Sequence, residues 1–198
     1  MKIRNLLFTL AMAGSLALLA GCNFDGGVEQ GRCVAFDPAA KTMTIVVDVT
    51  HDQFNPHYSG GVHTFKLPVE AKDMGPAPMV GGRLMIDINK SVVLLYDQAS
   101  KSVRELPVQF TDVEKNIGAD HPKVAGKTFP VVDKEQSSVT VYSARLKALI
   151  TFKVPAAALD LPPYAWTAGH EMRVAFRNAE KGQAIRVMNV TKTNIFKK

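Results

Sequence analysis

The stretch Leu146-Lys147-Ala148-Leu149-Ile150-Thr151-Phe152-Lys153-Val154-Pro155 decides the fold class. Leu146, Ala148, Ile150, Phe152 and Val154 form an apolar row, and Arg145, Lys147 and Lys153 lie opposite. Alternation with period two marks a strand with one face in a core. The closing proline cannot donate to a sheet ladder and ends the strand. The pattern recurs along the chain. Met43, Ile45 and Val47 share one face of Thr42–Asp48, and Met172, Val174 and Phe176 alternate with Glu171, Arg173 and Arg177. Turn formers such as Asp37-Pro38-Ala39-Ala40-Lys41, Asp97-Gln98-Ala99-Ser100-Lys101 and Asp133-Lys134-Glu135-Gln136-Ser137 punctuate the strands. The helix candidates are Val69–Lys72 and Ala156–Leu159, each barely one turn long after a proline. The chain therefore reads as all-β.

Thr151-Phe152-Lys153-Val154-Pro155 restates Thr64-Phe65-Lys66-Leu67-Pro68, which stands 87 residues earlier. The offset continues ungapped through Ala71 and Ala158, Asp73 and Asp160, Pro76 and Pro163, Gly82 and Gly169, and Met85 and Met172. This predicts a duplication: two tandem small β-barrel units, residues 32–113 and 125–198, joined by a linker at 114–124. Each unit would hold about five strands and one short helical turn in an OB-like order. An SH3-like barrel and a single fused sandwich are the alternatives. Each unit is expected to end in paired strands, Leu84–Tyr96 with Val103–Phe110 and Glu171–Asn178 with Ala184–Lys192. Phe65, Leu67, Phe152 and Val154 are expected in the core.

Residues 1–22 carry Lys2 and Arg4, then an apolar run from Leu6 to Leu19, then Leu19-Ala20-Gly21-Cys22. The run is short for a membrane span, which needs roughly 20 residues. A charged start, a short apolar middle and small residues before a cleavage point describe a signal peptide. The segment resembles the signal peptide and lipobox of bacterial lipoproteins. The resemblance implies that residues 1–21 are removed, that Cys22 is acylated and becomes the N-terminus, and that residues 22–31 tether the body. Acyl chains add about 0.8 kcal/mol per buried methylene, so several chains on one residue hold firmly. The resemblance places the protein on the periplasmic face of a bacterial membrane. Asn23, where inner-membrane retention uses Asp, leans toward the outer membrane. Beyond the lipobox, the short tether and the β units, the chain resembles the small periplasmic lipoprotein families known as domains of unknown function. No functional residue carries over from them.

Residues 22–198 suffice for one medium domain or two small ones. Once Cys22 is acylated, Cys33 is the remaining thiol, so no internal disulfide can form. Its apolar setting, Cys33-Val34-Ala35-Phe36, reads as buried. Charge is uneven: residues 23–113 hold 8 Lys/Arg against 11 Asp/Glu, whereas residues 116–198 hold 13 against 6. A basic half beside a membrane points to anionic headgroups, an anionic polymer or an acidic envelope protein. Nucleic acid is a poor partner on location alone, and none is expected.

Two stretches stand out as candidate sites. His51-Asp52-Gln53-Phe54-Asn55-Pro56-His57-Tyr58-Ser59-Gly60-Gly61-Val62-His63 is an insertion that the second unit lacks. His51, His57 and His63 could gather zinc or copper there, although the spacing fits no metal signature and reads first as a polar loop. Pro162-Pro163-Tyr164-Ala165-Trp166 holds the chain's single tryptophan. Tyr164 and Trp166 could contact a ligand, with Arg145, Lys147 and Lys153 as an outward basic face, or Trp166 could plug a barrel end. Catalytic motifs such as G-x-S-x-G, H-E-x-x-H and C-x-x-C are absent. The expectation is a non-catalytic binding or assembly module without a cofactor. An envelope-polymer hydrolase and a metal carrier are the alternatives.

Overall fold

A computed structural model describes residues 25–52 and 54–193. Cys22 and the leader, together with the basic tail Lys197-Lys198, lie outside the described residues. The strands are β1 (Gly26–Asp37), β2 (Thr42–Val47), β3 (Val62–Lys66), β4 (Arg83–Asp87), β5 (Val92–Asp97) and β6 (Ser102–Pro107). They continue as β7 (Gln109–Lys115), β8 (Val131–Asp133), β9 (Ser138–Ser143), β10 (Ala148–Lys153), β11 (Glu171–Arg177) and β12 (Ala184–Asn189). Among the described residues, helical turns are confined to Ala71–Asp73, Ala156–Leu159, Pro163–Trp166 and Asn178–Glu180. The all-β reading holds.

The hairpins share one local code. Five connections end on a residue with left-handed backbone: Lys41 (φ 53°), Ser91 (φ 56°), Lys101 (φ 51°), Ser137 (φ 50°) and Lys147 (φ 46°). Four residues before each stands Asp or Ser, whose side-chain oxygen accepts amides inside the turn. Asp37 accepts from Ala39 and Ala40, Asp87 from Lys90, Asp97 from Ala99, Asp133 from Gln136 and Ser143 from Leu146. Such side chains replace the ladder bonds that the turn cannot make. Two sequence readings shift accordingly. Leu84–Tyr96 is β4 and β5 separated by a turn, and Leu146 and Lys147 belong to a turn that precedes β10.

The strands form three open sheets, ordered β12-β11-β1-β2-β3, β7-β10-β9-β8 and β4-β5-β6. The expected pair of OB-like barrels is therefore corrected: among the described residues no sheet closes into a barrel. The sheets also ignore the division between residues 32–113 and 125–198. Every residue from Gly26 to Arg32 in β1 pairs with β11, so the N-terminal strand sits against strands from the far end of the chain. β7 runs into the expected linker, taking up Glu114 and Lys115, and pairs with β10. The expected tether shortens too, because β1 starts at Gly26.

Three clusters hold the fold. Cys33, Met43, Ile45 and Phe65 pack with Met172, Val174, Phe176 and Val187 under the five-stranded sheet. Val139, Val141, Ile150, Phe152 and Trp166 pack with Ile86, Val93 and Leu95 from the middle sheet. Val34, Val46 and Tyr58 pack with Leu84 and Tyr96 between the five-stranded sheet and the β4–β6 sheet. The β4–β6 sheet thus contributes to the cores on either side. Phe65 is 2% exposed and stacks on Phe176, and Phe152 is fully buried between Phe110 and Trp166. All three clusters use residues 33–187, so the chain from Asn23 onward holds them complete.

The interlocking has a crossing point. Gly82 bridges Ala168, the Cys33 amide donates to the His170 carbonyl (2.9 Å), and the Gly81 amide donates to the Cys33 carbonyl (3.2 Å). Backbones pass so closely that a Cβ on Gly169 would lie 2.0 Å from the Cys33 oxygen. One on Gly81 would lie 2.2 Å from the Thr167 oxygen. Gly81 and Gly169 stand at the crossing because only glycine permits this approach.

Candidate functional site

Beside the crossing lies a cavity of about 560 Å³. Arg32, Arg83, Arg145 and Lys127 line it, with Glu171 as its carboxylate. Each is placed by a different element. The β1–β11 register sets Arg32 directly across from Glu171. Arg83 and Glu171 open β4 and β11, the two strands that leave the crossing. Arg145 projects from the β9–β10 turn, and Lys127 comes from the segment between β7 and β8.

The hydrogen bonds fix Arg32 and Glu171 firmly. Tyr58 Oη donates to Glu171 Oε2 (2.9 Å), and Arg32 Nε donates to Tyr58 Oη (3.1 Å). Arg32 Nε lies 3.5 Å from Glu171 Oε2, and its Nη1 donates to the Gly169 carbonyl (2.9 Å). Burial, opposed by Arg32 and Tyr58, holds the Glu171 carboxyl above its usual range. Arg83 is 6% exposed and donates through Nε to the Trp166 carbonyl (2.8 Å) and through Nη2 to the Tyr142 carbonyl (3.3 Å). Arg145 donates through Nη1 to the Phe54 carbonyl (2.8 Å).

The three guanidiniums feel one another. Burial first, and then the charges of Arg32 and Arg145, push the Arg83 guanidinium down to about 9, still charged at neutral pH. Burial and then Arg32 lower Arg145 in the same direction. A guanidinium carries five N–H donors. The described bonds use two on Arg83 and one on Arg145. Glu171 Oε1 and the Trp166 indole N–H are buried and find no partner among the described residues, and both residues line the cavity. One part of the wall is apolar: Met85 and Ile86 of β4, Val141 of β9, and Val124, Phe129 and Pro130 from the segment before β8; Tyr142, Ser143, Thr167, His170 and Thr191 add polar groups elsewhere.

The residues singled out from sequence scatter. Arg145 points to the cavity, Lys147 is exposed in the turn, and Lys153 is exposed at the far end of β10. Trp166 is fully buried against Phe152, with its backbone carbonyl on Arg83. Tyr164 Oη donates to the Val34 carbonyl (2.6 Å), which ties the helical turn to β1. His51, His57 and His63 are exposed, and His63 Nδ1 lies 2.6 Å from Glu29 Oε2. Among the described residues no group of three His, Cys, Asp or Glu side chains is arranged to hold a metal ion. Instead the loop is organised by buried Asp48, whose Oδ1 accepts from the Thr50 amide, the Thr50 hydroxyl and the His57 amide. It carries Phe54, 64% exposed, to the cavity mouth. No hydrogen bond joins Ser143 to His170 or Glu171 on the cavity wall; Ser143 accepts from Leu146, and His170 Nδ1 accepts from the Met79 amide and lies 3.0 Å from Asn189 Nδ2.

Arg32, Arg83, Tyr58 and Glu171 were not singled out from sequence. Two signals were present. The 87-residue offset aligns Glu171 with buried Leu84, a carboxylate in a core position. It also aligns Arg83 with His170 immediately after the matched glycines Gly82 and Gly169. Among the described residues no helix is long and apolar enough to cross a membrane. The chain belongs to the family described as Domain of unknown function (DUF4881), which matches residues 25–198. No curated protein and no solved structure matches it.

Proposed function

We propose that the chain is a lipid-anchored, non-catalytic binding module on the periplasmic face of a bacterial membrane, and that the arginine-lined cavity binds an anion. One observation carries the reading: a formed cavity holds four cationic side chains against one carboxylate. Burying Arg83 beside two like charges costs stability unless a counter-charge completes the site. An oxyanion does so through the guanidinium donors left over, by charge-assisted and bidentate hydrogen bonds. The cationic side chains hold a charge in place, and among the described residues no nucleophile is hydrogen-bonded to a base beside them, which favours binding over hydrolysis.

The anchor is acylated Cys22, and the outer membrane is the favoured destination. β1 begins at Gly26, four residues later. At roughly 3.3–3.6 Å per residue the body then sits within about 14 Å of the bilayer surface. Arg177 pairs with Gly26 and so lies on the membrane-facing end, where anionic headgroups attract cations. Intact mass of the mature protein should show acyl groups on Cys22; a mature chain that starts elsewhere or lacks lipid rejects the anchor. For the site, the chain from Asn23 to Lys198 is titrated with inorganic phosphate, octyl phosphate and octanoate at matched ionic strength. Saturable binding of any of these that Arg145→Gln weakens at least tenfold supports the reading. No binding, or binding indifferent to Arg145, rejects it.

A further inference from the structure

We propose that the ligand is an amphipathic anion, with a carboxylate or phosphate group held by Arg83 and Arg145 and an apolar body lying along Phe129, Val124, Met85 and Ile86. The inference rests on the anion reading above and goes beyond it by assigning the second half of the cavity. At about 560 Å³ the space is far larger than an inorganic oxyanion. It falls within the roughly 300–1,000 Å³ typical of sites for small organic molecules. A bare phosphate on the arginines would leave the apolar wall wet. Met85 and Phe129 are only partly buried, with Val124 and Ile86 packed behind them, so a chain or ring laid against Met85 and Phe129 removes their remaining apolar surface from water.

The wall is built from separate elements that agree in chemistry. Met85 and Ile86 follow Arg83 along β4, whereas Val124 and Phe129 flank Lys127 in the segment before β8. Cation and apolar surface are thus interleaved on both sides of the space, as an amphipathic ligand requires. Phe54 stands at the mouth on a loop whose carbonyl engages Arg145, so a ligand headgroup competes with that carbonyl for the same guanidinium.

The experiment is isothermal titration of the chain from Asn23 to Lys198 with ethyl, butyl, hexyl and octyl phosphate, octanoate, inorganic phosphate and 1-octanol, all below micelle formation. Affinity should rise about three- to fourfold per methylene along the alkyl phosphates until the wall is filled. Octanoate should bind, and inorganic phosphate and 1-octanol should each bind at least tenfold more weakly than octyl phosphate. Phe129→Ala should flatten the chain-length dependence while leaving inorganic phosphate unchanged. If inorganic phosphate binds as tightly as octyl phosphate and Arg145→Gln abolishes both, the anion reading stands and the amphipathic ligand is rejected. If 1-octanol binds as tightly as octyl phosphate and ignores Arg145→Gln, or if nothing binds, both are rejected. If Phe129→Ala leaves the slope intact, the apolar body does not lie on this wall and the inference fails. Should Arg145→Gln lower the melting temperature, Lys127→Gln on the exposed side of the cavity gives the second charge variant.

Discussion

Replacing Gly169 with Ala tests the crossing that builds the cavity. The new Cβ would sit 2.0 Å from the Cys33 carbonyl oxygen and 3.0 Å from the Gly81 nitrogen, both backbone atoms that no rotamer change can move. The strand must shift, and two hydrogen bonds go with it: Cys33 amide to His170 carbonyl and Gly81 amide to Cys33 carbonyl. Each bond is worth about 1 kcal/mol net, and a buried group left unpaired adds about 1–3 kcal/mol. The sum is about 3–5 kcal/mol. For a chain of this size that lowers the melting temperature by about 6–20 °C. The control is Gly182→Ala, where nothing lies within 4 Å of the added Cβ and stability should change by less than about 0.5 kcal/mol. Chemical denaturation of both variants, read by far-ultraviolet circular dichroism, gives the two differences. If Gly169→Ala costs no more than Gly182→Ala, the backbones do not cross as described and the cavity walls are misplaced.

Three further outcomes follow from the same geometry. Because β1 pairs with β11, fragments 23–118 and 119–198 should each be unfolded alone and should regain β-sheet circular dichroism when mixed; two independently folded fragments would contradict the interlocked sheets. Cys33 is fully buried and its thiol is pushed up to about 12, so it should react with a thiol reagent at pH 8 only at the rate of unfolding, and rapid labelling of the native chain would refute its burial. Burial, with Lys192 and Arg32 nearby, holds the His170 pKa below its ordinary value, so the unfolded chain takes up the proton first. Stability from this residue is complete above about pH 6.5 and declines as pH falls below it; His170→Gln should flatten that part of the stability–pH curve, and an unchanged slope would show that another group governs it.

Local structure was legible and partnership was not. The alternation in Met43–Val47 and Ala148–Val154 set the buried faces correctly, and the Asp-led turns ended strands where the structure ends them. Period two tells which face of a strand is buried, but it does not say against which strand. β1 finds β11 across about 140 residues of sequence, and nothing local marks that choice. A duplicated pattern invites two self-contained units, although the same pattern serves equally well when β11, paired with β12 of its own half, also pairs with the first strand of the other. The cavity was hidden for a related reason. In the alternation of β11 Glu171 falls with exposed Arg173 and Arg177, yet it is buried at the crossing, and the match to buried Leu84 is the cue against the outward face. Arg145 was visible as a basic residue in the second half, yet its neighbours Lys147 and Lys153 share its charge and not its place.

The most direct test of the anion-binding cavity is to follow the arginine Nε–Hε signals by ¹⁵N nuclear magnetic resonance while octyl phosphate is titrated into the chain from Asn23 to Lys198. Arg83 and Arg145 should shift together and saturate with one affinity, and Arg104 and Arg177, which lie away from the cavity, should stay in place. Shifts at Arg104 and Arg177 equal to those at Arg83 and Arg145, or no shift at any arginine, would contradict the account.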